Sequence, residues 1–313
     1  MRTNKLLAIP FSEKKLKITS VAADLEVKNG ETSQVVLEIE LEGEPEKLQA
    51  YEPKIRRTND VLEINLELET NHVSFVSLAR SKVLRVNKAI ITLPPTEELT
   101  ISAVSGDLNL SAPQCQDKLT INSVSGDVNL SNVECQEIDI RTTSGDLRLN
   151  DVNAKTQIKV SSVSGDLLAQ SISFKEMRMD TVSGDAVIRE LSDTFRFIQF
   201  KSVSGDIVLH MAVLPPSRIE FSTLSGTVKV GQRLLKGVKG SFDTAPKPTT
   251  TIKINTMSGS VTVEATKEEQ ESHEDVDLFA DLIKSKRATA EQVAEMMRLL
   301  GFEDETIQKV IQS

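Results

Sequence analysis

The sequence predicts a mainly β protein: a right-handed parallel β-solenoid with coils of about 20 residues, followed by a small C-terminal α-helical module. Three observations predict it. A tripeptide recurs at near-constant spacing, apolar residues alternate on both sides of it, and the periodicity turns helical near the C-terminus.

The tripeptide comes first, because internal repeats decide architecture. It appears as Ser105-Gly106-Asp107, Ser125-Gly126-Asp127, Ser144-Gly145-Asp146, Ser164-Gly165-Asp166, Ser183-Gly184-Asp185 and Ser204-Gly205-Asp206. Two variants follow, Ser225-Gly226-Thr227 and Ser258-Gly259-Ser260. The first seven glycines are 20, 19, 20, 19, 21 and 21 residues apart. A degraded copy, Ser20-Val21-Ala22-Ala23-Asp24-Leu25, precedes them.

Residues 119–130 show the grammar of one unit. Leu119 and Ile121 alternate with polar residues, a polar turn follows, and Val128 and Leu130 alternate beyond it. Such alternation marks strands buried on one face. Glycine suits a turn that needs positive φ, and Ser and Asp can bond local backbone. Two strands cannot bury their apolar face alone, so units must pack on one another. Propeller blades need about 40 residues, whereas a solenoid coil needs about 20 and demands a constant period. The period therefore selects the solenoid, with the tripeptide as its corner. Nine residues past successive glycines stand Cys115, Cys135, Ala154 and Phe174, an apolar column suited to the interior. Stacking would bring the two thiols within reach of a disulfide. With no sign of an oxidising compartment, they read as reduced, buried small hydrophobes.

Outside the repeats, residues 1–98 read as a strand-rich N-terminal capping section and 99–265 as the regular coils. Val35, Leu37, Ile39 and Leu41 alternate with acidic residues, as do Leu62, Ile64, Leu66 and Leu68 with polar ones. Residues 71–93 hold Arg80, Lys82, Arg85 and Lys88 without an acidic residue, and read as a solvated strand face. The 33-residue interval between Gly226 and Gly259 carries a basic patch, Arg233, Lys236 and Lys239, and a protruding loop over 244–251. Residues 266–275 form a charged linker, and 276–313 the helical module. Phe279, Leu282 and Ile283, then Val293, Met296, Met297 and Leu300, fall at helical spacing. Thr289 and Gln292 form a capping-box pattern, and Gly301 is a natural stop. The tail's 12 acidic and six basic residues supply most of the chain's net charge of −9. The expected partner-binding residues are Arg233, Lys236 and Lys239 on the interval, and Phe279, Ile283 and Met297 on the tail. Any self-association is expected through the helical module.

The aspartate column, Asp107 to Asp206, is the sharpest chemical feature. Repulsion between carboxylates about 4.8 Å apart is only about 1 kcal/mol per pair in water, and a bond to an ionised acceptor returns about 1.5–3 kcal/mol. The turn can hold its aspartates without metal, and Thr227 and Ser260 occupy the same slot with poor calcium ligands. His72, His210 and His273 lie in three separate regions without a recognisable nucleophile partner. No catalytic, metal or cofactor site is expected. Net charge of −9 and 4% aromatics argue against nucleic acid, and no apolar run reaches a membrane span. The N-terminus has no leader pattern, so a cytoplasmic location is expected, with peripheral envelope association as the variant.

The Val-Ser-Gly-Asp-Val/Leu repeats over about 101–264, led in by Ile91-Thr92-Leu93-Pro94-Pro95, resemble the bacterial β-strand-repeat "putative adhesin" family. The resemblance implies a solenoid scaffold often linked to Gram-positive cell-envelope stress systems, and brings no catalytic residues. The expected function is a non-enzymatic, adhesin-like interaction scaffold with a protein or envelope partner. The alternative is a calcium-binding or polysaccharide-processing β-helix that uses the aspartate column.

Overall fold

Alternating side chains close this chain into coils, because each strand hides one face only by laying it against another. The computed structural model describes residues 1–67, 84–235, 239–265 and, beyond them, Thr289, Gln292, Ala294, Gln308 and Val310. The chain divides into two units, Met1–Glu264 and Ala265–Ser313.

In the first unit each coil has one strand entering the tripeptide corner and one leaving it. In the coil of Gly126, Leu119, Ile121 and Ser123 point inward, and Val128 and Leu130 face them from the other side. A second corner lies six residues past the glycine, where Ala112, Asn132, Asp151, Ser171 and Glu190 all take φ near +50°. Beyond it Val133 and Cys135 turn inward again, and the chain climbs to the next coil. Successive coils pair in parallel and in register: Leu119 with Ile138, Ile121 with Ile140, and Leu130 with Leu149. Equal side chains therefore form continuous interior columns, and the pairing is that of parallel strands about 4.8 Å apart. Where a coil carries two extra residues before its next strand, Phe195 packs against Phe174 with ring centroids 6.3 Å apart.

The order of coils in space departs from their order in the chain at both ends. Lys15–Ser20 lies between Val61–Asn65 and Thr96–Ala103, and Asp24–Asn29 between Arg85–Leu93 and Leu108–Ser111. At the other end Thr250–Ser258 is inserted between Phe197–Ser202 and Ser217–Ser225. The outermost coil there is laid down first, and the chain then returns to occupy the layer beneath it. The corner stack accordingly runs Ala23, Gly106, Gly126, Gly145, Gly165, Gly184, Gly205, Gly259, Gly226.

Antiparallel strands cover both outer edges, where open strands would otherwise invite pairing with other chains. Lys54–Arg57 pairs with Val61–Asn65, Gln34–Glu42 with Arg85–Leu93, and Arg2–Pro10 with Gln34–Glu42. At the far end Lys239–Asp243 covers Ser217–Ser225, and Arg233–Leu235 covers Val228–Val230. The loop expected over 244–251 is shorter, with residues 244–249 outside any strand. Thr250 and Thr251 already belong to the inserted strand, and Arg233 and Lys239 lie on edge-covering strands. The long interval is consumed by these two strands and by the return path.

A short helix missed by sequence reading, Pro45–Ala50, starts on the proline and buries Leu48. Tyr51 follows it; burial pushes its phenol up to about 12. Its hydroxyl donates to the Leu66 carbonyl at 3.3 Å.

In the second unit Gln292, Ala294, Gln308 and Val310 are helical. The Thr289 N–H donates to Gln292 Oε1 at 3.0 Å, and the Gln292 N–H to Thr289 Oγ1 at 3.3 Å, a reciprocal capping box.

Candidate interaction surface

The corner is built from three residue ladders that run along the stack. Glycine comes first: its φ lies between +101° and +149° at the eight tripeptides. A Cβ on Gly126 would stand 2.3 Å from the Gly106 carbonyl oxygen, and one on Gly165 would stand 2.1 Å from that of Gly145. Coil contacts coil through bare backbone here.

Serine makes the second ladder. Ser105 Oγ donates to the Val21 carbonyl at 2.9 Å and Ser125 Oγ to the Val104 carbonyl at 3.2 Å. Ser144, Ser164, Ser183 and Ser258 repeat the bond one coil further each time. Ser204 joins its neighbour through its N–H, which donates to the Val182 carbonyl. Ser225 lies on the outermost coil, paired with Ser258.

Aspartate makes the third. Each Oδ1 accepts the backbone N–H of the equivalent residue on the next coil. The chain of bonds runs from Asp24 through Asp107, Asp127, Asp146, Asp166, Asp185 and Asp206 to the N–H of Ser260, at 2.7–3.1 Å. It ends where Thr227 Oγ1 donates to Ser260 Oγ at 3.3 Å. A carboxylate therefore holds the backbone donor of the next corner, linking each coil to its neighbour. Arg148 spans Asp127 and Asp146 at 2.9 and 3.1 Å. The guanidinium and the Asp146 N–H hold the Asp127 carboxyl below its ordinary range. No group of three or more His, Cys, Asp or Glu is gathered as metal ligands would be, among the described residues.

That shift sets a pH dependence. A depressed folded pKa stabilises fully above the unfolded value of about 3.9 and is lost as pH falls through the folded value. Glu26, held down by Lys28 and Lys88, acts in the same direction. Melting temperatures recorded between pH 5 and pH 2.5 are expected to fall less steeply for Asp127→Asn than for the wild type. Parallel slopes would show that the ladder carries no acid-linked stability.

The thiols of Cys115 and Cys135 are free and buried, with Sγ atoms 3.3 Å apart. Cys135 donates to Cys115, which donates to the Glu97 carbonyl at 3.6 Å. The facing sulfur and burial push the Cys115 thiol up.

Of the expected partner-binding residues, Arg233 and Lys239 are described. Arg233 lies 5.6 Å over the Phe242 ring, and Lys239 is exposed opposite Ser222. Lys236, Phe279, Ile283 and Met297 lie outside the described residues. Lys88, in the acid-free stretch 71–93, pairs with Glu26 at 2.7 Å, and Arg80 and Lys82 lie outside the described residues. His210 sits 3.4 Å from Glu264 on the flank of a coil.

Sequence reading missed two features of the surface. The residue two before each corner glycine points outward and is apolar at Val104, Val124, Val163, Val182 and Val203, each 44–50% exposed. On the strands leaving the corner, Leu168, Val187 and Val208 stack outward in adjacent registers. They stand between the aspartate column and Gln170, Arg189 and His210. Parity along the strand marks both columns as outward, which was the available signal.

Comparison with known proteins agrees with this geometry. A "putative adhesin" from Parabacteroides distasonis superposes with a TM-score of 0.53 at 16% identity, over 84% of this chain and 97% of that one. One from Bacteroides fragilis does so with a TM-score of 0.52 at 14% identity, over 84% and 97%. At such identities the likeness shows a shared fold. No curated protein matches the sequence. Residues 13–264, the whole run of stacked coils, match the Toastrack DUF4097 family, and the chain belongs to that family.

Proposed function

We propose that this protein is a non-enzymatic, adhesin-like interaction scaffold whose coil faces bind a protein or envelope component in the cell-envelope stress response. One observation carries the reading: the outward row Leu168, Val187 and Val208, an apolar stripe on a rigid frame, bordered by Arg189 and His210 on one side and carboxylates on the other. Stripes of this kind, rimmed by polar groups, mark contact surfaces. The adhesin names of the structural neighbours point the same way.

The reading includes a right-handed coil path, the hand that parallel crossovers take in about 98% of cases. It divides the chain into a capping section to residue 98, coils to 265, a linker to 275 and a helical docking module to 313. The helical residues and reciprocal cap at Thr289 and Gln292 support the last element.

The test is retention of isolated envelope material on the immobilised full chain. Leu168→Glu with Val187→Glu is expected to cut retention at least about tenfold, a loss near 1.4 kcal/mol. Undiminished retention would remove this face from the proposal. The calcium-binding alternative is separated by melting in calcium and in EDTA. A ligand at 100 times its Kd adds about 2.7 kcal/mol, a rise of roughly 4–5 °C for a chain of this length. Curves that coincide within about 1 °C are expected.

A further inference from the structure

The corner's hydrogen bonds account for Ser, Gly and Asp in the repeat, and leave the preceding valine unexplained. Nothing in the turn needs an apolar side chain there. Thr143 occupies the same slot, and Ser144 beside it keeps both bonds to the Val124 carbonyl. Apart from Thr143 the column is apolar from Val21 through the valines, and beyond Val203 it continues into Met257 and Leu224, 53% and 70% exposed. A single exposed valine is ordinary, but a line of apolar residues along nine stacked corners, interrupted once at Thr143, is an apolar strip.

We propose that this strip is the contact of a parallel homodimer, in which a second copy lies alongside with the two-fold axis running along the stack. Pitch is the first argument. The strip's side chains repeat at about 4.8 Å, the spacing of neighbouring strands. An extended peptide presents same-face residues every ~6.7 Å and a helix one turn every ~5.4 Å, so both drift out of step within a few coils. A second strip of the same construction stays in step along its whole length.

Charge complementarity is the second argument, and it selects the direction. The aspartates flank the strip on one side. On the other stand the residues four before each glycine, among them Asn122, Arg141 and Lys201. With the axis along the stack, each copy's aspartates face the other copy's second column at equal height. Asp146 then opposes Arg141, which also holds Asp139 of its own chain, Asp206 opposes Lys201 and Asp127 opposes Asn122. Asp185 opposes Asp180, whose charge Lys201 already shares at 3.7 Å. In the reversed arrangement the two aspartate columns would face each other over their full length.

Size sets the strength. Nine corners at about 4.8 Å give a strip roughly 40 Å long. At side-chain width that buries about 400 Å² per copy, below the ~800 Å² per partner of a standard stable interface. The dimer is weak and reversible, formed at high micromolar concentration.

Sedimentation equilibrium of the full chain up to about 1 mM is expected to show a monomer–dimer equilibrium, weakened at least about tenfold by Val163→Lys with Val182→Lys. Melting curves of the variant confirm that the exposed lysines leave the coils folded. Direction is read by oxidative cross-linking of single cysteines at Val104, Val163 and Val203, since the native thiols are buried. In the parallel dimer each position faces its own counterpart, so all three variants link to themselves. A chain that stays monomeric, a dimer indifferent to the two lysines, or self-links confined to Val163 would each overturn the proposal.

Discussion

Gly165→Ala is expected to destabilise the coils by at least about 4 kcal/mol, in the range that single substitutions reach only through a severe local cause. The cause is a Cβ 2.1 Å from the Gly145 carbonyl oxygen, in a backbone with φ of +111°. The oxygen cannot move aside. The coils are held together on both sides of the corner, Ile138 pairing with Ile158 and Leu147 with Leu167. Gly231 is the control. Its φ of +54° is also positive, but a Cβ there meets nothing within 4 Å. Gly231→Ala should cost only about 1–2 kcal/mol, the penalty of the left-handed region itself. Urea midpoints of the two variants decide it. Equal small losses would mean that the stack flexes at its corners and that backbone contact does not hold them.

Removing residues 250–313 is expected to unfold the outermost coil, whereas removing 265–313 should leave the stack intact. In a solenoid laid down in chain order, a cut at 250 would trim one end. Here it takes out Thr250–Ser258 and Val261–Ala265 from beneath the outermost coil. Ser217–Ser225 and Val228–Val230 then lose their pairing with the rest of the stack and keep only their edge-covering strands. Ile219, Val228 and Val230 lose the coil that buries them. Hydrogen exchange would report it, with amides of 217–230 unprotected in the longer deletion and protected in the shorter one. Protection of 217–230 in both would show that this coil can dock directly on Phe197–Ser202.

The corner was legible in the sequence because its three residues have duties that few others can perform. Glycine alone fits between touching backbones, and aspartate's short carboxylate reaches one coil onward. The second corner carried no such mark. Ala112, Asn132, Asp151, Ser171 and Glu190 share a conformation and no residue type. A left-handed residue costs up to about 1–2 kcal/mol, less for Asn and Asp, and the coil absorbs it. The exchanged order of the last coils was hidden for a related reason. Ladder bonds are made by backbone, and Ile252 fits between Ile198 and Ile219 as Ile254 fits between Phe200 and Phe221. Only the 33-residue interval hinted at a detour. The outward valines stood in plain view within each repeat. Since Leu119, Ile121 and Ser123 point inward, Val124 must point out. Reading valine as one more strand residue concealed that parity.

The inserted coil also bears on how this protein would take up force. Val261–Ala265 leaves the stack from between Ile207–Met211 and Val228–Val230, so it is gripped from both sides. A pull along this strand loads two rows of hydrogen bonds together in shear. On an edge strand the same tension could break one row bond by bond, like a zipper. Whatever is fastened beyond residue 265 is therefore attached to a bolted joint in the scaffold and not to a loose end.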